Sequence, residues 1–587
     1  MKCLAWTAVA VMTTRAMAAE PVKLETTLLA PVRVEYRGGV TFVDFGRDAY
    51  ANLRIEFPQA VPAATLIVRL GEKLAVDGTI DRKPPGSVCY REMTLRVGPD
   101  QRSYLLSIPK VKRHEVAEAV RMPAEIGEVA PFRYVEIEGS PAPLESSSLR
   151  QRVVHAPFDD AASAFECSDD TLNAVWELCH HTIKATTAFG VHIDGERERI
   201  SYEGDAYLNQ LSHYACDLDP RVARSTFEHL LKFPTWPAEW GFHMPMIAAA
   251  DYDATGDPVL AARHLDELKP KLLEGHARAD GLLAEYAIVD WPVGERDGYN
   301  DGVLSPADKR KIGPEVNTVV NAFYYHALRE MAVLSRAVRR EDEATRFDQT
   351  ADKVKATFNR VFFNSERKVY IDGDGSRHAS LHANMFPLAF DLVPAEHQKS
   401  VADFVESRGM ACSVYGAQYL LEALFKAGRD DAAVRLMTAR HERSWWHMIE
   451  LGSTMTLEAW NAKVKPNLTW NHAWGAAPAN IAARYVLGVR PLTPGYGQTL
   501  IAPQIGPLSW ARGKVPTPHG PVTVEIRRDD GMSMVVDIPK GMSARVVLPR
   551  IGSGRSTFDG KDVPSTATDT ACIFEGVGEG RHVFGVK

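Results

Sequence analysis

Apolar and polar positions divide the chain into three stretches. From about Glu20 to Gln151 they alternate with period two, as in "VRVEYRGGVTFVDFG", "ATLIVRLGEKL", "RSYLLSIP" and "FRYVEIEG", with Gly and Pro between the runs. That alternation predicts an antiparallel β-sandwich. Near Ser163 the spacing changes to three and four residues: Leu172, Val175, Trp176, Cys179 and Ile183 form one stripe, and Ser168-Asp169-Asp170 supplies a helix cap before it. Helix-period stretches such as "EVNTVVNAFYYHALREMAVLSRAV" and "YGAQYLLEALFKAG" continue as far as "NHAWGAAPANIAARYVLGV", near Val489. They predict one large α-domain with long Trp-, Gly- and Pro-rich connections. After "RPLTPGYG" the alternating runs return and predict a second β-sandwich. The expected division is an N-terminal sandwich over 20–155, a helical domain over 156–490 and a C-terminal sandwich over 491–587. Periodicity leaves a toroid of helical hairpins and a bundle both open for the middle stretch.

Size and composition fit this division. A chain of 587 residues exceeds what one core usually holds. With 45% apolar and 24% charged residues, and no run of eighteen apolar residues after the N-terminus, it reads as an ordinary globular protein without a membrane span. The formal charge of -7, without a basic block, argues against a nucleic-acid partner. The first residues, "MKCLAWTAVAVMTTRAMAAE", combine a lysine, a short apolar run and the small-x-small pattern Ala16-Met17-Ala18. A signal peptide over 1–19 is expected, and with it export to a periplasmic or extracellular location. Cleavage would remove Cys3; the remaining cysteines are scattered without metal-ligand or disulfide-framework spacing and are expected to be free, buried thiols. No cofactor and no metal is expected.

Two segments carry candidate chemistry. "DGERERISYEGD", Asp194 to Asp205, packs carboxylates and arginines between an apolar helix end and an aromatic-rich helix expected to begin near Ala206. Loops on a helical frame are the usual place for catalytic groups, although a network of surface ion pairs reads the same way. In "LGSTMTLEAWNAKVKPNLTWNHAWGAAP", Glu458 stands alone among Trp460, Trp470, His472 and Trp474, a setting that perturbs a carboxyl pKa. Indole rings stack on the CH faces of sugars and carboxylates accept their hydroxyls, so the combination suits a carbohydrate cleft. Trp236, Trp240, Trp291, Trp445 and Trp446 add aromatic surface on other connections.

"DGERERISYEGD" resembles the Asp-x-x-x-x-Asp-Glu-Arg-Leu-Gly-Trp-x-Gly-Asp motif of the inverting α-L-rhamnosidases of glycoside hydrolase family 78. "GSTMTLEAW", "NHAWGAAPANIAARYVLGVRPLTPGYGQTLIAPQIG" and "TPHGPVTVEI" resemble later segments of that family in the same order. The resemblance implies an (α/α)6 barrel for the helical domain. It implies Glu198 as general acid and Glu458 as general base. Asp194, Arg199, Tyr202, Asp205 and His472 fall on its sugar-binding positions, and Trp240, Trp291 and Trp460 are the expected stacking rings. This sequence departs from the motif in a loop two residues shorter, in the missing Cys-Pro, and in Glu203 before Gly204.

Inverting hydrolysis needs a protonated acid for the leaving oxygen and a carboxylate to deprotonate water on the opposite face. Glu198 and Glu458 fill those places, with Asp194 and Asp205 expected to raise the pKa of Glu198 and the arginines to offset this in part. The expected activity is exo-acting release of terminal α-L-rhamnose from a glycan or glycoside. A same-barrel glycosidase for another terminal sugar and a non-catalytic carbohydrate-binding protein are the alternatives.

Overall fold

The structure, a computed structural model, describes residues 22–529, 531–550, 555–563, 566–567 and 571–587. The expected signal peptide and Cys3 lie outside the described residues.

The period-two region forms one antiparallel sheet of eight strands. Its centre is the 17-residue strand Val40–Glu56. The first part of that strand pairs with Arg33–Arg37 and the second with Leu149–His155, while Ala130–Glu138 follows both. Between the two parts, at Gly46 (φ +84°), the register shifts. A single long strand therefore serves both sides of a core containing Val43, Leu53, Ile55, Val68 and Phe132.

Among the described residues thirteen α-helices follow: α1 Asp170–Thr186, α2 Glu203–Cys216, α3 Pro220–Lys232, α4 His243–Thr255, α5 Val259–Leu268, α6 Thr318–Ala337, α7 Glu341–Phe362, α8 Leu381–Ala389, α9 Ala395–Arg408, α10 Val414–Lys426, α11 Asp430–Met437, α12 Trp445–Glu450 and α13 Ala477–Ile481. Several begin as their sequences dictate. Asp169 caps α1 by accepting from the Leu172 amide at 3.0 Å, and Asn317, Ser380 and Ser413 cap α6, α8 and α10 in the same manner. Along the chain α2 packs on α4, α4 on α6, α6 on α8, α8 on α10, α10 on α13, and α13 on α2, which closes a ring. Ring helices such as α8 and α10 are buried nearly all round, whereas α7 and α9, outside the ring, bury one face only.

The C-terminal region stacks a five-stranded and a seven-stranded sheet. One strand of the seven is Ala164–Cys167, which precedes α1 and pairs antiparallel with Trp510–Val515. By sequence it lies inside the 156–490 span; by pairing it belongs to the C-terminal sheet. The six described cysteines are buried, and Cys89, Cys167, Cys179, Cys216 and Cys412 are free thiols. No described helix is long and apolar enough to cross a membrane.

Candidate active site

Between α1 and α2 the chain makes a closed loop, in which the Asp194 amide donates to the Ile200 carbonyl at 2.8 Å and the Arg199 amide to the Gly195 carbonyl at 3.0 Å. Gly195 has φ +118°, and a Cβ there would lie 2.8 Å from the Asn471 Oδ1, so only glycine fits. Arg199 also adopts positive φ, +54°. This turn sends the charged side chains in two directions. Arg197 and Glu198 face the cleft, while Glu196 and Arg199 run back to the N-terminal sheet.

Arg199 is 1% exposed. Its guanidinium donates to Glu196 at 2.9 and 3.1 Å, to the Val129 carbonyl at 2.9 Å and to Glu128, and it covers the Phe189 ring. Four of its five N–H groups are bound within the protein and the side chain is almost wholly buried, so Arg199 fixes the loop and is withdrawn from the sugar contact that its motif position implied. Glu196 is bound further by Arg91 at 3.4 Å. The run "ERER" is thus not a solvated surface network.

On the cleft side, Arg197 donates both terminal nitrogens to the Glu458 carboxylate, at 2.7 and 2.9 Å, and its Nε lies 3.5 Å from Glu198. The two expected catalytic carboxyls therefore share one guanidinium. Glu458 also accepts from the Thr469 amide at 3.0 Å, and the Lys465 ammonium lies 3.1 Å away. Burial favours protonating Glu458, but His472, Arg197 and Lys465 outweigh it and hold the carboxyl below its ordinary range.

Glu198 is the more open of the pair, with 29% of its side chain exposed. Tyr202 donates its hydroxyl to it at 2.9 Å. The expected rise in its pKa is not found. Burial pushes the group up, but Arg197, the Tyr202 hydroxyl and a hydrogen bond from Asp194 prevail and lower it. Asp194 behaves in the opposite way. It is 1% exposed, and burial raises it well above the carboxylate range against the pull of Arg197, with Glu198, Glu458 and Asp205 adding repulsion. The rise that like-charge repulsion was expected to produce at Glu198 is thus found at Asp194 instead.

His472 bridges the two halves of the site, its Nε2 2.7 Å from Asp205 and its Nδ1 3.2 Å from the Thr469 hydroxyl. Both ring nitrogens and Asp205 are buried at 2% exposure, so the pair orients the Glu458 segment from behind. The Trp474 indole donates to the Glu458 carbonyl at 3.0 Å.

The tryptophans separate into wall and core. Trp236 meets Tyr202, Trp240 and Trp291 at ring-centroid distances of 6.2, 4.8 and 5.0 Å, and Lys465 lies over Trp291 at 5.4 Å. Trp291 and Trp236 are half-buried and wall the cleft. Trp240, 1% exposed, stands behind them with an indole N–H that has no protein partner. Trp460 is fully buried, donates to the Cys412 carbonyl at 2.8 Å and packs edge-on to Trp445. It is a core ring, contrary to its expected stacking role, because the helices behind the cleft enclose it.

Sequence reasoning missed Arg197 as the Glu458 clamp, and it missed Lys465, Thr469 and Asn471. The signal for Thr469 and Asn471 was their place beside His472; nothing local marked Lys465. Among the described residues no group of three His, Cys, Asp or Glu side chains is arranged to hold a metal ion.

Residues 160–486 match the family of bacterial alpha-L-rhamnosidase 6-hairpin glycosidase domains, and residues 488–561 the bacterial alpha-L-rhamnosidase C-terminal domain. An alpha-L-rhamnosidase of Streptomyces avermitilis is 24% identical over 96% of this chain and 54% of its own length. One of Alteromonas sp. is 24% identical over 74% of this chain and 50% of its own. The chain spans about half the length of these curated relatives. Among solved structures, the alpha-L-rhamnosidase of Dictyoglumus thermophilum superposes with a TM-score of 0.78 at 18% identity, covering 97% of this chain and 64% of that one. The Streptomyces avermitilis enzyme complexed with L-rhamnose gives 0.76 at 21%, covering 97% and 54%.

Proposed function

The chain belongs to the bacterial alpha-L-rhamnosidase six-hairpin glycosidase family, and from that premise we propose that it is an exo-acting glycoside hydrolase releasing terminal α-L-rhamnose with inversion. The observation that carries the reading is the pair Glu198 and Glu458, set on either side of one guanidinium beneath a wall of tryptophans. Glu198, the more exposed carboxyl, protonates the leaving oxygen. Its proton is supplied through the neighbouring Asp194, whose carboxyl burial holds well above the carboxylate range. Glu458, kept ionised by its cations, takes the proton of the attacking water. A carboxylate offers about four acceptor directions, and Arg197, Lys465 and Thr469 occupy those of Glu458. One contact has to open for the water, and Lys465, already over Trp291 in the cleft, is the group that gives way.

A second reading keeps the mechanism and changes the sugar. It is favoured by the withdrawal of Asp194 and Arg199 from the cleft. A panel of nitrophenyl glycosides decides between the two, since turnover confined to a non-rhamnosyl sugar selects the second.

Mechanism is tested with glutamine variants. Glu458→Gln is expected to lose about 100- to 10,000-fold on every substrate, whereas Glu198→Gln loses as much on a natural glycoside and far less on a nitrophenyl glycoside, whose leaving group needs little acid help. Equal losses on both substrates for Glu198→Gln overturn the acid assignment. Near-normal rates for Glu458→Gln overturn the base assignment, and wild-type protein that is inert but still binds rhamnosides points to a carbohydrate-binding protein. The anomer first released, followed by proton NMR, reads inversion directly. Export through the N-terminal 19 residues belongs to the same proposal. N-terminal sequencing of protein recovered outside the cytoplasm should begin near Glu20, and recovery only of uncleaved cytoplasmic protein refutes it.

A further inference from the structure

The N-terminal sheet reaches the catalytic loop through a buried polar chain that the mechanism leaves unused. Asn471 is fully buried between the two segments that carry Glu198 and Glu458. Its Oδ1 accepts from the Glu196 amide at 2.7 Å and from the Tyr50 hydroxyl at 2.9 Å, while its Nδ2 donates to the Glu72 carboxyl at 2.8 Å. Tyr50 belongs to the strand Val40–Glu56 and Glu72 follows the strand Ala64–Gly71, so both partners come from the N-terminal sheet. The other Glu72 oxygen accepts from the Cys89 amide.

Behind Glu72 stands Asp48, 4% exposed beside a group that is 2% exposed. The two carboxyls are buried against one another, and repulsion from Asp48 adds to burial in favouring the protonated form of Glu72. Asp48 is itself fixed to the helical region, its amide donating to the Thr454 hydroxyl and its carbonyl paired with the His181 ring, both at 2.7 Å. The charged groups facing the pair are Arg133 and Glu196. Burial pushes both carboxyls up, Asp48 to about 6.

We propose that Asn471 is a positioning residue through which the N-terminal sheet, anchored by the buried acids Asp48 and Glu72, holds the loop 194–200 in catalytic register. The side chain has to be an amide, because it donates to an acid on one side and accepts from two donors on the other. The absence of a Cβ at Gly195, against which the Asn471 oxygen packs, is the matching half of the joint. The sheet is then a working part of the site and not an appended module. This deepens the proposed function, and only its turnover arm rests on that reading.

The test uses the full chain with Asn471→Ala and Asn471→Asp. Amide hydrogen exchange over 194–200 needs no substrate and is expected to quicken about tenfold in both variants near pH 7, with α7 and α9 unchanged. Asn471→Asp keeps the acceptor but loses the donor and adds a third buried carboxyl. Its kcat on nitrophenyl α-L-rhamnoside should fall about 10- to 100-fold near pH 7 and recover toward pH 5, where the acids are protonated, while KM changes little. Asn471→Ala should show the loss without the recovery. Should Asn471→Ala fail to fold, the pH recovery of Asn471→Asp decides alone. Unchanged exchange over 194–200 overturns the proposal whatever turnover does, and loss in Asn471→Asp that lower pH does not restore overturns the role of the acid pair.

Discussion

The two sides of the loop 194–200 use the same side-chain chemistry for different ends. Arg197 and Arg199 are two residues apart, each paired with carboxylates, each nearly or fully buried. Arg199 meets Glu196, Glu128 and a carbonyl of the N-terminal sheet and is buried away from any ligand. Arg197 meets Glu458 and Glu198, the two candidate catalytic carboxyls, and the buried Asp194 behind them. One arginine builds the loop and the other tunes the chemistry. What separates them is the direction of the backbone at Gly195 and Arg199, not the kind of residue.

The largest expected effect breaks the structural side. Arg199→Leu leaves Glu196 buried without its main counter-charge, at a cost of about 3–5 kcal/mol, and should lower the unfolding midpoint by many degrees with activity lost alongside it. An unchanged midpoint would show that the loop does not depend on the sheet. Arg197→Lys keeps the charge but not the bidentate grip on Glu458. We expect about a 100-fold fall in kcat, roughly 2.7 kcal/mol, with a midpoint shifted far less than in Arg199→Leu. A midpoint drop as large as that of Arg199→Leu would erase the distinction.

The third prediction concerns pH. Asp194 has a folded pKa raised above its unfolded value, so its protonated form stabilises the fold below the ordinary carboxylate range, and that contribution is lost as pH rises through the raised value. Asp194→Asn removes the proton reserve and leaves Glu198 to Arg197 and Tyr202, which lower it. The alkaline limb of the rate on a natural glycoside should then move to lower pH, while that on a nitrophenyl glycoside moves less. A limb that stays in place separates Asp194 from the acid. The smallest effect is Tyr202→Phe. It deletes one hydrogen bond to Glu198, worth about 1 kcal/mol, so a change in kcat of about fivefold is expected, and a loss beyond about 100-fold would make Tyr202 a direct participant.

The clamp on Glu458 explains why the two acids read so differently from the sequence. Glu458 is surrounded in sequence by Trp460, Trp470 and Trp474, which suggested a carboxyl with a perturbed pKa. Its cations come from elsewhere: Arg197 is far away in the chain, and Lys465 returns to it over a connection with no helical spacing. Likewise Trp460 and Trp291 are equivalent in composition, yet one is enclosed by Trp445 and the Cys412 carbonyl and the other opens on the cleft.

The sequence by itself determined the succession of a sheet region, a helical region and a second sheet region, because alternation at two residues and recurrence at three to four are local properties of side chains along the backbone. It also determined the cap of α1 and the order of the segments bearing Glu198 and Glu458. Only the tertiary structure decided that Ala164–Cys167 pairs with Trp510–Val515, that Glu128, Tyr50 and Glu72 support the catalytic loop, and which of Glu196, Arg197, Glu198 and Arg199 faces the cleft. Charge direction and proton placement depend on partners brought together across the fold and on how far each is withdrawn from water, and neither is encoded in the spacing of neighbouring residues.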